Sequence, residues 1–546
     1  MATPNQNDET SNTQSGLDGV ADDIHYLIIS ELMKTSQSAV LALAQSSRAL
    51  REAALPFIYR DLVLAKGASD SWTQRAYNAL IEQFRDDKDG RIAKHVRTIT
   101  VKAELPSEDL MLIFDKISES GTLRKLSWET SAHIPVSVLD KLHATWPDLE
   151  LSVRVLDRQS VSDRAHRQMD TRLLSSPLLV SLIYTIYNQG YHAEQPSRSE
   201  WPKLTQALVA GGNVRVLRIQ SQQDGTEYRG TKILDDNEPK KLTRLDITPE
   251  SRLPPLEELS IDIQLYWGGS SYLWDAEHCL MLRDAMDWSH LRKLDFGGDN
   301  PYVFFSAFTG LLPNLRALRF GVTEGQVRPA KVFIKHLTAV ESLDIARAQL
   351  GIDALWPAIM KHKNTLKEII LRPTTSGYYA PQYIDFSRLE TIAEEFPALQ
   401  RLGWDVPCKE NIDDKYLAIL STINLKQLDL FLHLPFGASD FSAELTQNAM
   451  GSIPPPPLKK KGSKNAAIAI MEAISQAQER PLGWLTLHFS RTGLEDRGQP
   501  YLMQAKMQLR RSKGESTNGA KKYEFRGKQE WYGLLSLEEE LALEEE

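Results

Sequence analysis

The sequence predicts an α/β chain in which a short three-helix module leads into an irregular repeat solenoid, with a parallel sheet on its concave side and helices outside. Three observations carry this. A compact stretch near the N-terminus places its apolar residues at helical spacing. A motif of the form apolar-x-x-Leu-x-apolar then recurs about a dozen times along the rest of the chain. Between most copies lies an amphipathic helical run, so the unit reads strand, loop, helix, loop.

The helical stretch is Val20–Leu64. Apolar residues fall at Val20, Ile24, Leu27, Ile28 and Leu32, then at Val40, Leu41, Leu43 and Ala44. Asp22 and Asp23 suit a first helical turn, where negative charge is favoured. Thr35, Ser36 and Ser38 break the first helix and are placed to cap the second. A third helix is expected over Arg48–Ala54, ending before Pro56 because the residue ahead of a proline is disfavoured in helical geometry. The run to Leu64 then reads as extended. From periodicity alone this is a small helical cap.

The same residues resemble an F-box, in the degenerate form found in filamentous fungi. That pattern opens Leu-Pro-x-Glu-Ile, and here Val20, Ala21, Asp23 and Ile24 take those positions. Ile28 and Leu32 follow in register. Ser46, Ser47, Arg48 and Leu50 match the middle, and Pro56, Ile58, Tyr59, Arg60 and Leu62 match the close. The opening Leu-Pro is absent, as is the Trp common in the second helix. The resemblance implies docking onto the linker subunit of a cullin-RING ubiquitin ligase. By residue type, Val20, Ile24, Ile28, Leu32, Leu41, Pro56 and Tyr59 would form or support the docking face.

Residues 65–94 read as a linking helix, with Trp72, Ala76, Leu80 and Phe84 at intervals of four. The repeat motif follows. Copies begin at Leu123, Val214, Leu242, Leu256, Leu291, Leu315, Val340, Leu366, Leu399, Leu425 and Leu482, with a shorter variant at Leu149. Helical runs between them include Glu108–Ser120, Val136–Thr145, Ala276–Asp287, Pro301–Leu311, Ile352–His362 and Asp414–Thr422. Several copies are 24–26 residues apart, within the spacing of leucine-rich repeats. One unit cannot cover its own apolar face, so neighbours must stack. The reading over 95–490 is therefore an irregular leucine-rich-repeat solenoid. A doubly wound α/β enzyme would alternate elements similarly, but its core strands read as continuous Val/Ile runs. Here Arg, Lys, Asp, Glu and Ser intervene.

Those intervening residues are expected on the concave side as a mixed polar surface for a protein substrate. The candidates are Arg218, Arg244, Asp262, Lys293, Asp295, Arg319, Arg372, Arg401, Asp405, Phe431 and Trp484. Arg and the aromatics are the natural anchors. Interspersed charge does not suit a phosphate-reading or membrane-reading surface.

Two insertions are expected in the array. Residues 154–213 read as extra helices, including the apolar Leu173–Tyr187. Residues 437–464 hold Pro454–Pro457, of polyproline character, and Lys459–Lys461. Residues 491–546 read as a C-terminal cap or tail, with a polar, mobile segment at Arg510–Lys522.

Bulk properties bound the function. At 546 residues the chain exceeds the ~250–300 at which single cores stop growing, which requires several domains or an array. A net charge of −8 argues against a dedicated nucleic-acid binder. The two cysteines, Cys279 and Cys408, lie far apart. They support no disulfide framework and favour a reducing compartment. No run reaches the ~18 apolar residues of a membrane span. Residues 1–19 are polar, lack a signal-peptide core and read as a disordered tail. A cytoplasmic or nuclear location is expected, with no membrane and no nucleic-acid partner.

No catalytic motif is present: no G-x-S-x-G elbow, no H-E-x-x-H helix and no phosphate-binding glycine loop. No metal site or cofactor is expected. The combined reading is a non-catalytic substrate-recognition adaptor of an SCF-type ubiquitin ligase. The alternative is a plain leucine-rich-repeat scaffold without a ligase role. A hydrolase or transferase built on a parallel sheet is a third, unsupported by any motif.

Overall fold

The computed structural model describes residues 21–67, 71–121, 123–156, 169–187, 200–222, 244–263, 272–373, 383–407, 412–433, 460–476, 478, 481–494, 500–515 and 521–527. The tail over 1–19, Val20, Cys408, the Pro454–Pro457 run and the C-terminal residues 528–546 lie outside them. The chain forms an α/β structure of two compact units, residues 1–186 with 200–217 and residues 187–199 with 218–546.

The first unit opens with α1 (Asp22–Thr35), α2 (Gln37–Ser46) and α3 (Arg48–Ile58). Ser36 Oγ accepts from Ala39 N at 3.2 Å and Ser47 Oγ from Leu50 N at 3.2 Å. Each serine thereby satisfies an otherwise unpaired N–H at a helix start. Ile29, Val40, Ala44 and Ala54 form the shared core, with Leu32, Met33, Phe57 and Ile58 packed on it. The third helix does not stop before Pro56, as its sequence predicts, but carries the proline inside its last turn. Loss of one backbone hydrogen bond is tolerated there, because Ala54, Leu55, Phe57 and Ile58 are held by packing.

Then come β1 (Asp61–Leu64), α4 (Trp72–Asp86), β2 (Thr98–Val101), α5 (Ser107–Ser118), β3 (Lys125–Trp128), α6 (Val136–Thr145) and β4 (Glu150–Val155). The described residues of the expected insertion over 154–213 continue the array. Its apolar Leu173–Tyr187 is not a helix but α7 (Thr171–Leu174), a turn at Ser175–Pro177 and β5 (Leu179–Tyr187). A bulge between β4 and β5 inserts an extra residue. Strand β5 is apolar almost throughout, so it carries no two-residue alternation to mark it. After α8 (Trp201–Gly211), closed by Gly212 at φ 71°, β6 (Val216–Gln222) carries the chain onward. Strands β1 to β5 pair in sequence order, all parallel.

The second unit continues with β7 (Glu258–Asp262), α9 (Ala276–Ala285), β8 (Lys293–Asp295), α10 (Tyr302–Phe308), β9 (Ala317–Gly321), α11 (Arg328–His336) and β10 (Ser342–Ala346). Next are α12 (Ile352–Met360), β11 (Glu368–Leu371), α13 (Phe386–Glu395), β12 (Arg401–Pro407), α14 (Asp414–Thr422), β13 (Gln427–His433), α15 (Lys460–Gln476) and β14 (Trp484–Leu494). Strands β7 to β14 are parallel and again in sequence order. Strand β15 (Pro500–Glu515) pairs antiparallel with β14, and β16 (Lys521–Gly527) pairs antiparallel with β15. Arg510–Glu515, expected to be part of a polar, mobile segment, instead belongs to a strand.

The motif explains the array. Its second leucine forms a registered column through Leu259, Leu294, Leu318, Leu343, Ile369, Leu402, Leu428 and Leu485. Every member is buried. Just before each strand, one carbonyl accepts two N–H groups from the next rung. Arg292 O takes Arg316 N and Ala317 N, and Arg316 O takes Glu341 N and Ser342 N. The pattern recurs at Glu341, Lys367, Gln400 and Lys426, so register passes from rung to rung. The Leu242 copy is the exception. Leu245 and Ile247 are buried without forming a strand, and Leu245 N bonds to the Tyr272 hydroxyl at 3.1 Å instead.

Candidate interaction surfaces

The residues expected to dock a partner on the helical module divide into two sets. Ile24 and Leu41 are 45% and 44% exposed. Ile28, Leu32, Pro56 and Tyr59 are half-buried, and Leu32 belongs to the module's own core. Tyr59 donates its hydroxyl proton to Gln83 Oε1 of α4 at 3.1 Å. These four support the module more than they present it. The expected set left out two more open residues of α1, Leu27 at 63% and Tyr26 at 54% exposed. Leu27 already stood in the helical pattern, so its spacing relative to Ile24 was the available signal.

On the second unit the strands present two faces. Phe320 of β9 meets Phe305 of α10 at 5.2 Å between centroids, so the Leu/Phe face looks toward the helices. The alternate residues, Arg319 among them, lie on the opposite, open face. Most of the expected substrate-binding residues are there, but they bind one another. Glu258 sits between Arg218 at 2.6 Å and Lys293 at 2.9 Å. Burial alone would raise its carboxyl, yet the two bases hold it below the usual range. Arg319 lies among three carboxylates, 3.4 Å from Asp262, 3.6 Å from Asp295 and 3.5 Å from Asp344. Arg372 grips Asp344 through two hydrogen bonds of 2.8 Å. Arg401 bonds Asp429 at 2.8 Å, and His488 approaches the same carboxylate at 3.5 Å. Burial would raise Asp429, but the His488 and Arg401 contacts outweigh it and keep the group ionised.

The aromatic candidates are partnered too. Phe431 stacks on His488 at 4.7 Å, with the Arg372 guanidinium 5.7 Å from its ring centre. Arg510 of β15 covers Trp484 at 4.8 Å. Arg244 is not on a strand. It lies in the coil ahead of β7 and pairs with Asp275, the N-cap of α9. Sequence reasoning also missed Arg347, whose backbone adopts φ 55° and whose Nη2 donates to Gly298 O at 2.7 Å. A left-handed non-glycine residue has no sequence signature.

Asp405 is different. It is 1% exposed, and its Oδ1 is buried with no hydrogen-bond partner among the described residues. Burial pushes its carboxyl up to about 7. A carboxyl that holds its proton more tightly folded than unfolded stabilises the fold at low pH. That contribution is present below about pH 4, the unfolded value, and is lost as pH rises through 7. Asp405→Asn removes the ionising group. The variant should therefore exceed wild type in stability at pH 8, by on the order of 3 kcal/mol. The gap should close as pH falls toward 4, in thermal unfolding across that range.

The first unit holds a cavity of about 450 Å³ lined by Trp128, His133, Ile134, Pro135 and Asp170 among others. The Asp170 carboxylate is engaged by Ile134 N at 3.2 Å and Leu173 N at 3.1 Å, so it caps α7 locally. Among the described residues no group of three or more His, Cys, Asp or Glu side chains is placed to hold a metal ion. No helix among them is long and apolar enough to cross a membrane. Cys279 is a buried free thiol. The chain matches no protein-family model, and no curated protein sequence matches it.

Proposed function

We propose that this chain is a non-catalytic substrate-recognition adaptor of an SCF-type cullin-RING ubiquitin ligase, acting in the cytoplasm or nucleus. In this reading α1 to α3 are the F-box module, and the strands and helices behind them are an irregular leucine-rich-repeat array that holds a protein substrate. The adaptor does no chemistry of its own. It raises the effective concentration of substrate lysines near the charged ubiquitin carrier.

One observation carries the reading. The three-helix module has its own core, yet leaves Ile24, Leu27 and Leu41 exposed on α1 and α2. Exposed apolar residues on a small domain suit a partner-covered surface. The expected result is that the full-length chain captures the linker subunit. Changing Ile24 and Leu27 together to Asp should weaken capture by at least about tenfold, with thermal unfolding unchanged. Wild-type protein that captures no linker subunit would end this proposal.

A second reading has support of its own. Tyr59 bonds to Gln83, and Glu52 pairs with Arg91. Both ties fasten the module to the residues that follow it, as in a cap on a repeat scaffold. That reading expects removal of residues 1–64 to destabilise the remaining chain without loss of any partner.

A further inference from the structure

We propose that the cavity of the first unit binds a small amine, a primary ammonium group carried on a compact apolar body. The proposal goes beyond the adaptor reading and does not depend on it.

Position comes first. The cavity lies where the parallel strands β2 and β3 end. Its walls are the segment leading into α5, the residues between β3 and α6, and Asp170, the N-cap of α7. In open parallel sheets, ligands bind at the carboxyl ends of the strands. The volume of about 450 Å³ falls in the range of small-molecule sites.

The lining has two parts. One is apolar: Leu105, Trp128, Ile134 and Leu139 are buried, and Val136, 52% exposed, carries the same wall out to solvent. Trp128 Nε1 donates to Ala132 O at 2.8 Å, so its indole offers a ligand only apolar surface. The other part is acidic. Asp170 Oδ2 accepts from Ile134 N at 3.2 Å and Oδ1 from Leu173 N at 3.1 Å. Both oxygens are thereby held in place, and each keeps a lone pair for a further donor. Arg172, the arginine of this wall, pairs with Asp140 at 3.0 Å and not with Asp170. Glu104 adds a second carboxylate at the exposed rim, and Ser107 and His133 complete the polar lining.

A carboxylate fixed in advance beside an apolar wall suits a ligand with one cationic head. The head gains a charge-assisted hydrogen bond, and the body leaves water against the wall. A neutral ligand of the same shape gains only the apolar contact, and an anionic one is repelled. Charge therefore decides among ligands of one shape.

The test is ligand-observed NMR titration of the full-length chain with phenethylamine, 2-phenylethanol and 3-phenylpropionate, which share a ring and differ in the head group. The amine should bind about tenfold more tightly than the alcohol, with no detectable binding of the carboxylate. Asp170→Asn, its folding checked by thermal unfolding, should bring the amine down to the level of the alcohol. Glu104→Gln alters an exposed side chain and should cut the amine preference about threefold, which keeps the site testable if Asp170→Asn does not fold. Val136→Trp narrows the mouth and should weaken amine and alcohol alike. The proposal is overturned if the carboxylate binds as tightly as the amine, or if the amine preference is unchanged in the two charge variants. It is equally overturned by binding unchanged in Val136→Trp, or by no binding of the amine up to about 10 mM.

Discussion

Phe304→Ala is expected to destabilise the second unit by about 4 kcal/mol. Phe304 is fully buried in α10. It stacks on Phe308 at 3.9 Å and meets Trp274, Trp288 and Phe296 edge-on at 5.3, 5.9 and 5.0 Å. These rings come from α10, the segments on either side of α9 and the residue that follows β8, so Phe304 joins the helix layer to the sheet. Truncation removes both the buried area and the edge-to-face contacts. It leaves a cavity that rigid rings cannot collapse to fill. Phe304→Leu keeps most of the volume and should lose about half as much. Urea unfolding followed by tryptophan fluorescence measures both, since Trp274 and Trp288 report on the cluster itself. A loss below about 1 kcal/mol for the alanine variant would mean that the cluster does not bind the two layers together.

The second large effect is expected at Arg319. Its guanidinium is the shared cation for Asp262, Asp295 and Asp344, and those carboxylates are 13–14% exposed. Arg319→Ala removes that cation from among three part-buried carboxylates, of which Asp344 keeps its two Arg372 hydrogen bonds. Breaking such a group from one side costs about 3 kcal/mol, more than the pairs contribute when intact. Arg319→Lys restores the charge but not the planar fork that reaches several acceptors, so it should recover only part of the loss. Adding Asp295→Asn to Arg319→Ala removes one repelling charge and should return part of the stability. Chemical unfolding of the three variants checks the order. If Arg319→Ala and wild type differ by less than about 0.5 kcal/mol, the network is a solvated surface feature with no structural weight.

The two sites differ in how visible they are along the chain. The Phe304 cluster was partly legible, because Phe304, Phe305 and Phe308 fall at helical spacing within an expected helical run. The Arg319 network was not. Asp262, Asp295 and Arg319 were placed on the polar face, but as candidates for a partner, and Asp344 was not among the candidates. Their mutual pairing depends on partners as many as 57 residues away, as for Arg319 and Asp262. Only the strand register decides which of them stand opposite one another. Arg372 and Arg401 show the same dependence, each closing onto an aspartate 28 residues away in sequence.

The failures have local causes too. The strand at Leu179–Tyr187 was hidden because its near-continuous apolar run shows no alternation and follows directly on the apolar Leu173–Leu174. α11 was missed although Pro329 sits in its first turn and Ala330, Phe333 and Ile334 are its buried residues. The helix end at Pro56 moved because packing in the last turn outweighed the local preference.

What the sequence by itself determined is the order of the array. The repeated Leu-x-x-Leu spacing can bury its leucines only as parallel rungs with helices between them, and that follows from period and chain connectivity alone. Tertiary structure decided which polar side chains are consumed and which are left over. That is a matter of register between strands, where a shift of one residue would move every charge to the other face. It is why most of the expected binding residues turned inward to one another, while Asp405, one aspartate among several in the sequence, is buried without a basic partner among the described residues.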